Sequence, residues 1–330
     1  MNVVITGAAG FLGRMLARSL LTRGRLVDRR GSLSAIDKLL LFDQQAGEPL
    51  SDPRVRTVTG SVGESQSVER LISDEIDSVF HLAAVVSAEA ESDFDKGMVV
   101  NLSGTLNLLQ ACRRLSHPPR VVFTSSVAAF GGELPSPVRD DTATTPQSSY
   151  GTQKVVGELL VNDYSRKGFI DGRALRLPTI CVRPGPANKA ASGFASGIIR
   201  EPIDGVTAVC PVAAETLMWL MSPATAIANL VHAHELPPAA FGHQRCLNLQ
   251  GLTLSVGDMV AALRSVCGDE TADRVAWRRD PSVEAVVSTW PGRFESARAR
   301  ELGFVADKDF ESIIRAYLES MESINGVRLD

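Results

Sequence analysis

The sequence predicts an α/β fold, a doubly wound parallel sheet followed by a smaller C-terminal lobe. Through the first half, short β-branched apolar runs alternate with longer helical patterns, which is typical of crossover units on a parallel sheet. One run, residues 39–42, is apolar throughout, as expected of a strand buried on both faces. From about residue 184 the pattern loosens and Pro and Gly become frequent. We therefore expect one domain over residues 1–183 and a lobe over residues 184–330, with elements partly interleaved.

The individual elements follow from the same periodicities. Strands are predicted at residues 3–6, 39–43, 55–60, 78–82, 121–125 and 173–177, and helices at residues 11–23, 68–73, 94–115 and 150–166. The polar, glycine-containing stretch at residues 24–38 predicts a surface insertion before the second strand. In the C-terminal lobe we expect helices at residues 224–234, 256–266 and 310–321, and a strand near residues 246–249.

Composition and charge predict a soluble, enzyme-like protein. The 330 residues can bury a large core, and 44% hydrophobic with 22% charged residues is close to the globular average. A net charge of -4 argues against nucleic-acid binding. Five scattered cysteines without a CxxC pair predict neither disulfides nor a metal site. Because the sequence shows neither an export signal nor a run of about 18 apolar residues, we expect a cytoplasmic protein with no membrane segment.

A glycine triplet stands between the first predicted strand and the first predicted helix. Gly7, Gly10 and Gly13 would permit a tight turn there and let backbone N–H groups approach a pyrophosphate at the helix N-terminus. A close-packed turn alone could also explain a triplet. Asp43 at the end of the second strand weakens that alternative, because a carboxylate there can accept both ribose hydroxyls and would repel a 2′-phosphate. The pattern favours NAD over NADP.

Tyr150 and Lys154 form the candidate catalytic pair. Four residues apart on a predicted helix, they share one face. An ammonium and an oxidised nicotinamide both favour the phenolate, and each unit of pKa depression requires only about 1.4 kcal/mol. Such a pair is common on solvated helices, but here it follows Ser126 by an interval that places both at the carboxyl edge of the sheet. We expect hydride chemistry at a secondary alcohol, with Tyr150 as base, Ser126 holding the oxygen and Lys154 also binding the nicotinamide ribose.

Two further segments lie where the cofactor is expected. The segment Leu82, Ala83 and Ala84 follows the fourth predicted strand, and its small residues would let the chain pass close to the cofactor. Asn101, on the following helix, either fixes a water that relays the proton or bridges the backbone, and both interpretations stay open.

With these motifs in place, the chain resembles the extended short-chain dehydrogenase/reductases, which include nucleotide-sugar 4-epimerases and dehydratases. The resemblance covers nearly the whole chain and rests on the glycine motif, the stretch from His81 to Ala84, the segments at residues 101–105 and 124–126, and the Tyr–Lys pair. It implies a Rossmann sheet, bound NAD and a homodimer formed through the two helices that flank the active site. The implied cofactor contacts are Gly7, Gly10, Phe11, Leu12, Gly13, Asp43, Ser61, Val62, Leu82, Ala83, Ala84, Asn101, Thr124, Tyr150, Lys154 and Pro178.

Two departures from the family pattern bear on the ligands. Ser61 stands where the family usually has an aspartate that contacts adenine, so that contact is lost or made by Ser61 and Val62. Thr179 stands where nucleotide-sugar epimerases commonly carry an asparagine. The segment at residues 177–185 and the insertion at residues 24–38 resemble the D-erythronate dehydrogenase branch, whose members oxidise a four-carbon sugar acid at C2 with NAD.

The resemblance therefore implies oxidation of D-erythronate to 2-oxo-tetronate, also called 2-dehydro-D-erythronate. Arg183 would bind the carboxylate as a bidentate fork or serve as a structural arginine, and Trp219 would floor the pocket or serve packing. The expected substrate contacts are Ser87, Ser126, Tyr150, Thr179, Arg183 and Trp219. The alternative is a nucleotide-sugar 4-epimerase or dehydratase with tightly bound NAD. A non-catalytic NAD-sensing protein ranks third, because it would show a degraded Ser–Tyr–Lys set.

Overall fold

A computed structural model describes residues 1–185 and 192–325 of the chain. These residues fall into two compact units. The first comprises Met1–Ala129, Pro146–Arg176 and Ile227–Asn248, and the second comprises the described residues of Phe130–Thr145, Leu177–Ala226 and Leu249–Asp330. The functional division into a cofactor domain and a substrate lobe at residue 183 stays a prediction.

The strands and helices are as follows. The strands are β1 Asn2–Thr6, β2 Arg25–Val27, β3 Leu33–Ala35, β4 Lys38–Asp43, β5 Val55–Thr59, β6 Ser78–His81, β7 Arg120–Ser126, β8 Val138–Arg139, β9 Asp171–Leu177, β10 Thr179–Ile180, β11 Ala208–Cys210, β12 Leu217–Met221, β13 Cys246–Asn248, β14 Leu252–Ser255, β15 Val275–Trp277 and β16 Phe294–Glu295. The α-helices are α1 Phe11–Arg23, α2 Ser65–Leu71, α3 Ser87–Ser92, α4 Phe94–Gly97, α5 Gly104–Arg113, α6 Ser149–Arg166, α7 Gly193–Ile203, α8 Pro223–Glu235, α9 Pro238–Phe241, α10 Val256–Cys267, α11 Asp269–Ala272, α12 Pro281–Val287, α13 Ala297–Glu301 and α14 Phe310–Asn325. A π-helical segment, Met98–Ser103, joins α4 to α5, and a 3₁₀ turn, Val127–Ala129, follows β7.

The first unit contains a seven-stranded parallel sheet in the order β13-β9-β7-β6-β1-β4-β5. In chain order, β4 and β5 are added on one side of β1, and β6, β7, β9 and β13 are then added on the other side. The order reverses between β1 and β6, so the carboxyl ends of these two strands flank the crevice where doubly wound folds bind ligands. The predicted fold class is confirmed.

The central strands are buried on both faces. Val3, Val4 and Ile5 of β1 have no exposed surface. Strand β1 pairs in parallel with β4 on one edge and with β6 on the other, so it lies inside the sheet. Phe80 of β6 and Phe123 of β7 are also almost fully buried. The continuous apolar runs that predicted these strands thus reflect helices covering both faces of the sheet.

Glycines set the ends of α1, which occupies the predicted residues 11–23. Gly10 precedes it in an extended conformation, and Gly24 ends it in the left-handed region at a φ of 68°, where its N–H donates to the Leu20 carbonyl. The predicted helix at residues 94–115 exists as α4, the π-helical segment and α5 in succession. No sequence signal predicted the π-helical turns, which widen the helix around the buried Asn101.

The insertion at residues 24–38 contains structure that the sequence pattern did not predict. Strands β2 and β3 pair antiparallel, with Arg25 opposite Ala35, and form a small hairpin. Leu26 is the only buried residue of these two strands, so the sequence shows too little alternation of apolar and polar residues for a strand to be recognised. The strand expected near residues 246–249 exists as β13, and it forms the edge of the first unit's sheet beside β9.

The second unit has its own sheet and core. Strand β12 pairs in parallel with β10 and antiparallel with β14. The core of this unit includes Ile198, Leu220, Met259, Leu263 and Ile314, all of them without exposed surface. These residues come from α7, β12, α10 and α14, so the helices expected at residues 256–266 and 310–321 pack into one apolar cluster. The helix expected at residues 224–234 exists as α8, which lies mostly in the first unit.

Candidate active site

The glycine loop after β1 is shaped by close backbone contacts. Gly7 has a φ of 72°, and a Cβ placed there would lie 2.6 Å from the Ala83 nitrogen. A Cβ on Gly13 would overlap the Gly7 carbonyl oxygen. Among the described residues no side chain caps the start of α1 at Gly10, so the first N–H groups of that helix face outward without a side-chain acceptor. This loop fits the pyrophosphate of a dinucleotide, because a side chain would fill the cradle and the helix N-terminus favours an anion.

Asp43 ends β4 beside the glycine loop. Its Oδ2 accepts the Ala9 N–H at 3.0 Å, and its Oδ1 accepts the Gln45 N–H at 3.3 Å. Arg14 lines the same cleft but pairs with Glu48. Two backbone donors thus orient the Asp43 carboxylate next to the cradle, where it is able to accept further hydrogen bonds from a ribose diol. Its cofactor role stays a prediction.

Ser61 and Val62 lie after β5, next along the same edge of the sheet. The Ser61 hydroxyl accepts hydrogen bonds from the Gln44 side chain and the Gly63 N–H, each at 3.2 Å. Val62 is buried, and its carbonyl accepts from the Asn107 amide at 3.0 Å. Ser61 is therefore tied to the residue after Asp43. The cofactor contacts of Ser61 and Val62 stay predictions.

A buried histidine on β6, His81, connects this strand to β1. His81 Nδ1 lies 2.7 Å from the Thr6 hydroxyl, and Nε2 lies 3.1 Å from the Thr105 hydroxyl. Because Thr105 donates its own proton to the Asn101 carbonyl at 2.6 Å, it accepts from His81. Nε2 therefore carries the proton, and Nδ1 accepts from Thr6, which in turn accepts the Ala83 N–H at 3.3 Å.

His81 remains neutral in this network. Burial first, and then the positive charge of Lys154, lower the pKa of His81 from 6.5 to about 3. A neutral imidazole with both nitrogens satisfied holds β1, β6 and the helix carrying Asn101 in register. Leu82, Ala83 and Ala84 follow His81 directly, and a Cβ on Gly7 would overlap the Ala83 backbone, so these two segments approach closely. The role of this segment in the cofactor wall stays a prediction.

The Asn101 side chain bridges two parts of the first unit. Its Oδ1 accepts the Val85 N–H at 2.7 Å, and its Nδ2 donates to the Val85 carbonyl at 3.0 Å and to Gln153 Oε1 at 2.7 Å. Both amide protons are therefore used, and the side chain fastens the segment after β6 to helix α6. This is the backbone-bridging interpretation. The water relay stays a prediction, and the bonds just described leave no amide proton for it.

Lys154 and Tyr150 lie together in the first unit. Lys154 is 3% exposed, and its Nζ donates to the Thr124 carbonyl at 2.8 Å. The same Nζ lies 5.6 Å from the centre of the Tyr150 ring and 4.8 Å from that of Phe123. Burial lowers the pKa of Lys154 to about 8, while the charge of Glu158 opposes this shift. A buried cation beside a half-buried phenol is the arrangement that favours the phenolate.

The start of α6 is held against the turn that follows Ser126. Ser148 caps the helix by accepting the Gly151 N–H at 3.1 Å. A Cβ on Gly151 would overlap the Ala128 carbonyl oxygen, so only glycine allows this first helical turn to approach so closely. The Ser126 hydroxyl accepts the Ala128 N–H at 3.1 Å. Gly151 thus brings the turn that carries Tyr150 into contact with the residues after Ser126.

Ser125 and Ser126, at the end of β7, differ in burial and in hydrogen bonding. Ser125 is 2% exposed and its hydroxyl donates to Glu158, whereas Ser126 is only partly buried. Thr124 is committed as well, because its hydroxyl donates to the His81 carbonyl at 3.2 Å. Of these three residues, Ser126 is the most exposed, and its catalytic role stays a prediction.

The remaining predicted substrate contacts are distributed over both units. Ser87 begins α3 in the first unit. In the second unit, Thr179 is a buried residue of β10, preceded by the predicted cofactor contact Pro178. Arg183 follows, and Ser196 accepts its N–H at 3.0 Å while Arg200 donates to its carbonyl at 2.8 Å. These backbone contacts with α7 fix the Arg183 main chain, and the carboxylate-binding role of its side chain stays a prediction.

Trp219 packs within the second unit. Its ring stacks on Phe294 with centroids 5.3 Å apart, and its indole N–H donates to the Leu249 carbonyl at 3.4 Å. The side chain is 8% exposed. These contacts are those of the packing interpretation, and a substrate contact by Trp219 stays a prediction.

Several residues that shape the site were not recognised from the sequence. Gly151, Gln153 and Glu158 all lie on α6, where their burial depends on what packs against the helix. A glycine inside a strong helical pattern was the one available signal, because such a glycine usually has a packing reason. Gln153 and Glu158 are each 2% exposed, although polar residues in a helix usually indicate a solvated face.

Comparison with known proteins places this site in context. Residues 3–213 match the NAD-dependent epimerase/dehydratase family. The chain is 56% identical over 319 residues to D-erythronate dehydrogenase of Cupriavidus necator, covering 97% of this chain and 98% of that protein. It is 45% identical over 320 residues to D-erythronate dehydrogenase of Haemophilus influenzae, covering 97% and 99%.

Solved structures give a consistent fold. A nucleoside-diphosphate-sugar epimerase from Agrobacterium tumefaciens has a TM-score of 0.92 and 41% identity, covering 99% of this chain and 95% of that one. L-threonine 3-dehydrogenase from Trypanosoma brucei has a TM-score of 0.85 at 23% identity, covering 99% and 98%, which is a likeness of fold alone.

Proposed function

Because this chain belongs to the NAD-dependent epimerase/dehydratase family, we propose that it is an NAD-dependent dehydrogenase that oxidises D-erythronate at C2 to 2-dehydro-D-erythronate. The buried Lys154 ammonium beside the Tyr150 ring is the observation that carries the chemistry. The substrate comes from the two relatives that bear the name D-erythronate dehydrogenase and match nearly the whole chain.

The chain's own residues divide the work at the reacting carbon. Lys154 stabilises the phenolate of Tyr150, which takes the proton of the C2 hydroxyl. Ser126 holds the hydroxyl oxygen so that the C2–H bond keeps one orientation. When bound, NAD⁺ supplies the acceptor for the hydride that leaves C2. The glycine loop and Asp43 bind and orient its pyrophosphate and adenosine ribose.

The protonation state of Lys154 suits its role in stabilising the Tyr150 phenolate. With a pKa of about 8 it is charged at neutral pH, and it still donates to the Thr124 carbonyl from a site that excludes water. A charge in such a site acts at a lower effective dielectric than in water, so it stabilises the phenolate more strongly. We expect oxidation to slow above about pH 8, as Lys154 loses its proton.

The substrate's remaining groups would be bound by residues that follow the strands. Arg183 offers a guanidinium fork for the carboxylate, and Thr179 and Ser87 offer hydroxyls for the polyol. The Arg183 main chain is anchored to α7 through Ser196 and Arg200, so its side chain starts from a fixed point. These roles belong to the proposal.

A second function is favoured by one comparison. The solved structure from Agrobacterium tumefaciens carries the name of a nucleoside-diphosphate-sugar epimerase. In such a reaction the cofactor is reduced and reoxidised within one turnover. Thr179 in place of the asparagine usual in these epimerases weighs against this alternative.

The two functions separate in one assay. Purified protein is mixed with excess NAD⁺ and either D-erythronate or a UDP-sugar, and both NADH absorbance and products are followed. We expect NADH to accumulate steadily with D-erythronate. Unchanged bulk cofactor together with an epimerised UDP-sugar would instead establish the alternative.

We further propose that the protein is a homodimer in the cytoplasm. Four large apolar side chains are exposed on elements near the active site of the first unit: Phe94, Val99, Leu106 and Leu159. They lie on α4, the π-helical segment, α5 and α6, and a matching surface of a second copy would cover them. Within the described residues, no helix combines the length and apolar character needed to cross a bilayer.

A further inference from the structure

A buried ion pair lies on the same helix as the catalytic pair. Glu158 of α6 is 2% exposed, and Arg176 of β9 binds it as a fork, with Nε 2.9 Å from Oε1 and Nη2 2.7 Å from Oε2. Ser125 also donates its hydroxyl to Oε1. Arg176 extends its third nitrogen, Nη1, to the Asn248 side chain at 3.1 Å. The carboxylate is therefore fully engaged by two elements of the central sheet.

The stability of the fold alone does not explain a buried ion pair at this position. Taking two charges out of water costs several kcal/mol per ion, and a buried ion pair is often replaceable by apolar residues without loss of stability. Here the carboxylate stands at the third position of the series Tyr150, Lys154, Glu158, whose members are four residues apart and share one helix face. Its Ser125 partner immediately precedes Ser126 on β7. The pair is therefore linked to Ser126 through Ser125, and its carboxylate influences Lys154 by its charge.

We propose that Glu158 and Arg176 are positioning residues for the oxidation: their ion pair balances the charge beside Lys154 and anchors the end of β7 that carries Ser126. This inference rests on the proposed function, in which Tyr150 is the base. Neither residue is assigned a contact with substrate or cofactor. Glu158 acts on Tyr150 and Lys154 through its charge, and it acts on Ser126 through Ser125.

The charges around Lys154 fix the direction of the expected effect. Glu158 and Tyr150 face it from its own helix, His81 from β6 is neutral, and Arg176 from β9 stands behind Glu158. Removing the negative charge of Glu158 leaves Arg176 uncompensated, so protons leave both Lys154 and Tyr150 more readily. Removing the positive charge of Arg176 leaves a lone carboxylate, so both groups hold their protons more tightly.

Glu158→Gln and Arg176→Gln should therefore move the ionisation of Tyr150 in opposite directions. We expect the midpoint to fall by about one pH unit in Glu158→Gln and to rise by a similar amount in Arg176→Gln. The double variant should return close to the wild-type midpoint, because both charges are gone. Arg176→Lys keeps the charge and should leave the midpoint in place, even if the loss of the fork lowers stability.

The measurement is an ultraviolet titration of tyrosinate in the full-length protein. The chain has 3 tyrosines, so subtracting the titration of a Tyr150→Phe background isolates Tyr150. Ser125→Ala, which removes a hydrogen bond to Glu158 but keeps both charges, is the matched control and should shift the midpoint less than Glu158→Gln. Thermal unfolding is recorded for every variant. If Arg176→Gln does not fold, the comparison of Glu158→Gln, which should shift the midpoint, with Arg176→Lys, which should not, tests the proposal.

Lowered unfolding temperatures with unchanged Tyr150 midpoints would overturn the proposal and leave the ion pair with a purely structural role. Shifts of the same sign in both single variants would overturn it as well. Because the titration contains no sugar acid, it is independent of the proposed substrate. A wild-type protein that fails to oxidise D-erythronate would count against the proposed function and leave the titration result standing. Where turnover is observed, the acidic limb of kcat/KM should move with the spectroscopic midpoint.

Discussion

Replacing Lys154 by methionine should abolish activity and yet stabilise the protein at neutral pH. The Lys154 side chain is 3% exposed, and methionine fills a similar volume without a charge. An ammonium held away from water is costly, which is why its pKa lies so far below the ordinary value. A functional group kept at the expense of stability is common in active sites.

The structure gives the size of this effect. The pKa falls from 10.5 to about 8, which at about 1.4 kcal/mol per pKa unit corresponds to about 3 kcal/mol against the folded state at pH 7. Methionine also leaves the Thr124 carbonyl without its Nζ donor, which costs about 1–3 kcal/mol. We expect a net gain of up to about 2 kcal/mol in the free energy of unfolding at pH 7.

The pH dependence has a defined sign. Below pH 8 the folded protein bears the full cost of the buried charge. Between pH 8 and 10.5 the unfolded state binds the proton more tightly than the folded state, so the wild type gains stability relative to Lys154→Met as pH rises. Toward pH 10.5 the advantage of methionine should disappear and reverse, because only the lost hydrogen bond remains.

Urea unfolding of both proteins at pH 7, 8, 9 and 10, where the wild type still folds reversibly, measures this difference. Lys167→Met, an exposed lysine that ends the same helix, is the control and should change stability by no more than about 0.5 kcal/mol at any of these pH values. Turnover by Lys154→Met should fall by at least about 100-fold. A variant less stable than wild type at pH 7, or a difference independent of pH, would refute the reasoning.

Three other variants test the cofactor site and the assembly. Asp43→Asn should lower the KM for NADP by about tenfold or more, because the charge that repels a 2′-phosphate is gone; an unchanged preference for NAD would remove Asp43 from the ribose site. Gly13→Ala should weaken NAD binding, measured by calorimetry, far more than Gly10→Ala, since a Cβ at Gly10 comes only within 3.2 Å of the Gly7 carbonyl oxygen; equal losses would contradict the packing argument. Leu159→Glu should convert a dimer into monomers in analytical ultracentrifugation. Val206→Glu, which changes an exposed apolar residue of the second unit, is the control and should leave the dimer intact. A wild-type monomer would exclude the proposed assembly.

The first unit could be predicted well because its sequence signals are local. Short apolar and β-branched runs predicted a strand at each position of its parallel sheet, and the helix predicted at residues 11–23 has the bounds of α1. The same reasoning missed the hairpin of β2 and β3, where only Leu26 is fully buried. In the second unit, strands such as β8, β10 and β16 have two residues each, which is too short for any periodicity to register.

The candidate site shows a similar division. The spacing of Tyr150 and Lys154 is visible in the sequence, because a helix converts four residues into one turn. The burial of Glu158 is not visible, since a glutamate in a helix ordinarily faces solvent and its partner Arg176 lies on a strand predicted for other reasons. Likewise, the closeness of Gly151 to Ala128 depends on how α6 meets the end of β7. Such contacts arise only when distant segments pack.

The fate of the hydrogen on C2 tests the central claim most directly. D-erythronate carrying deuterium at C2 is incubated with NAD⁺ and the wild-type protein, and the reduced cofactor is examined by mass spectrometry. We predict that deuterium appears in the reduced cofactor, and that Tyr150→Phe binds NAD⁺ normally but forms this product at least about 100-fold more slowly. Reduced cofactor without deuterium, or full activity of Tyr150→Phe, would contradict oxidation at C2 by a tyrosine base.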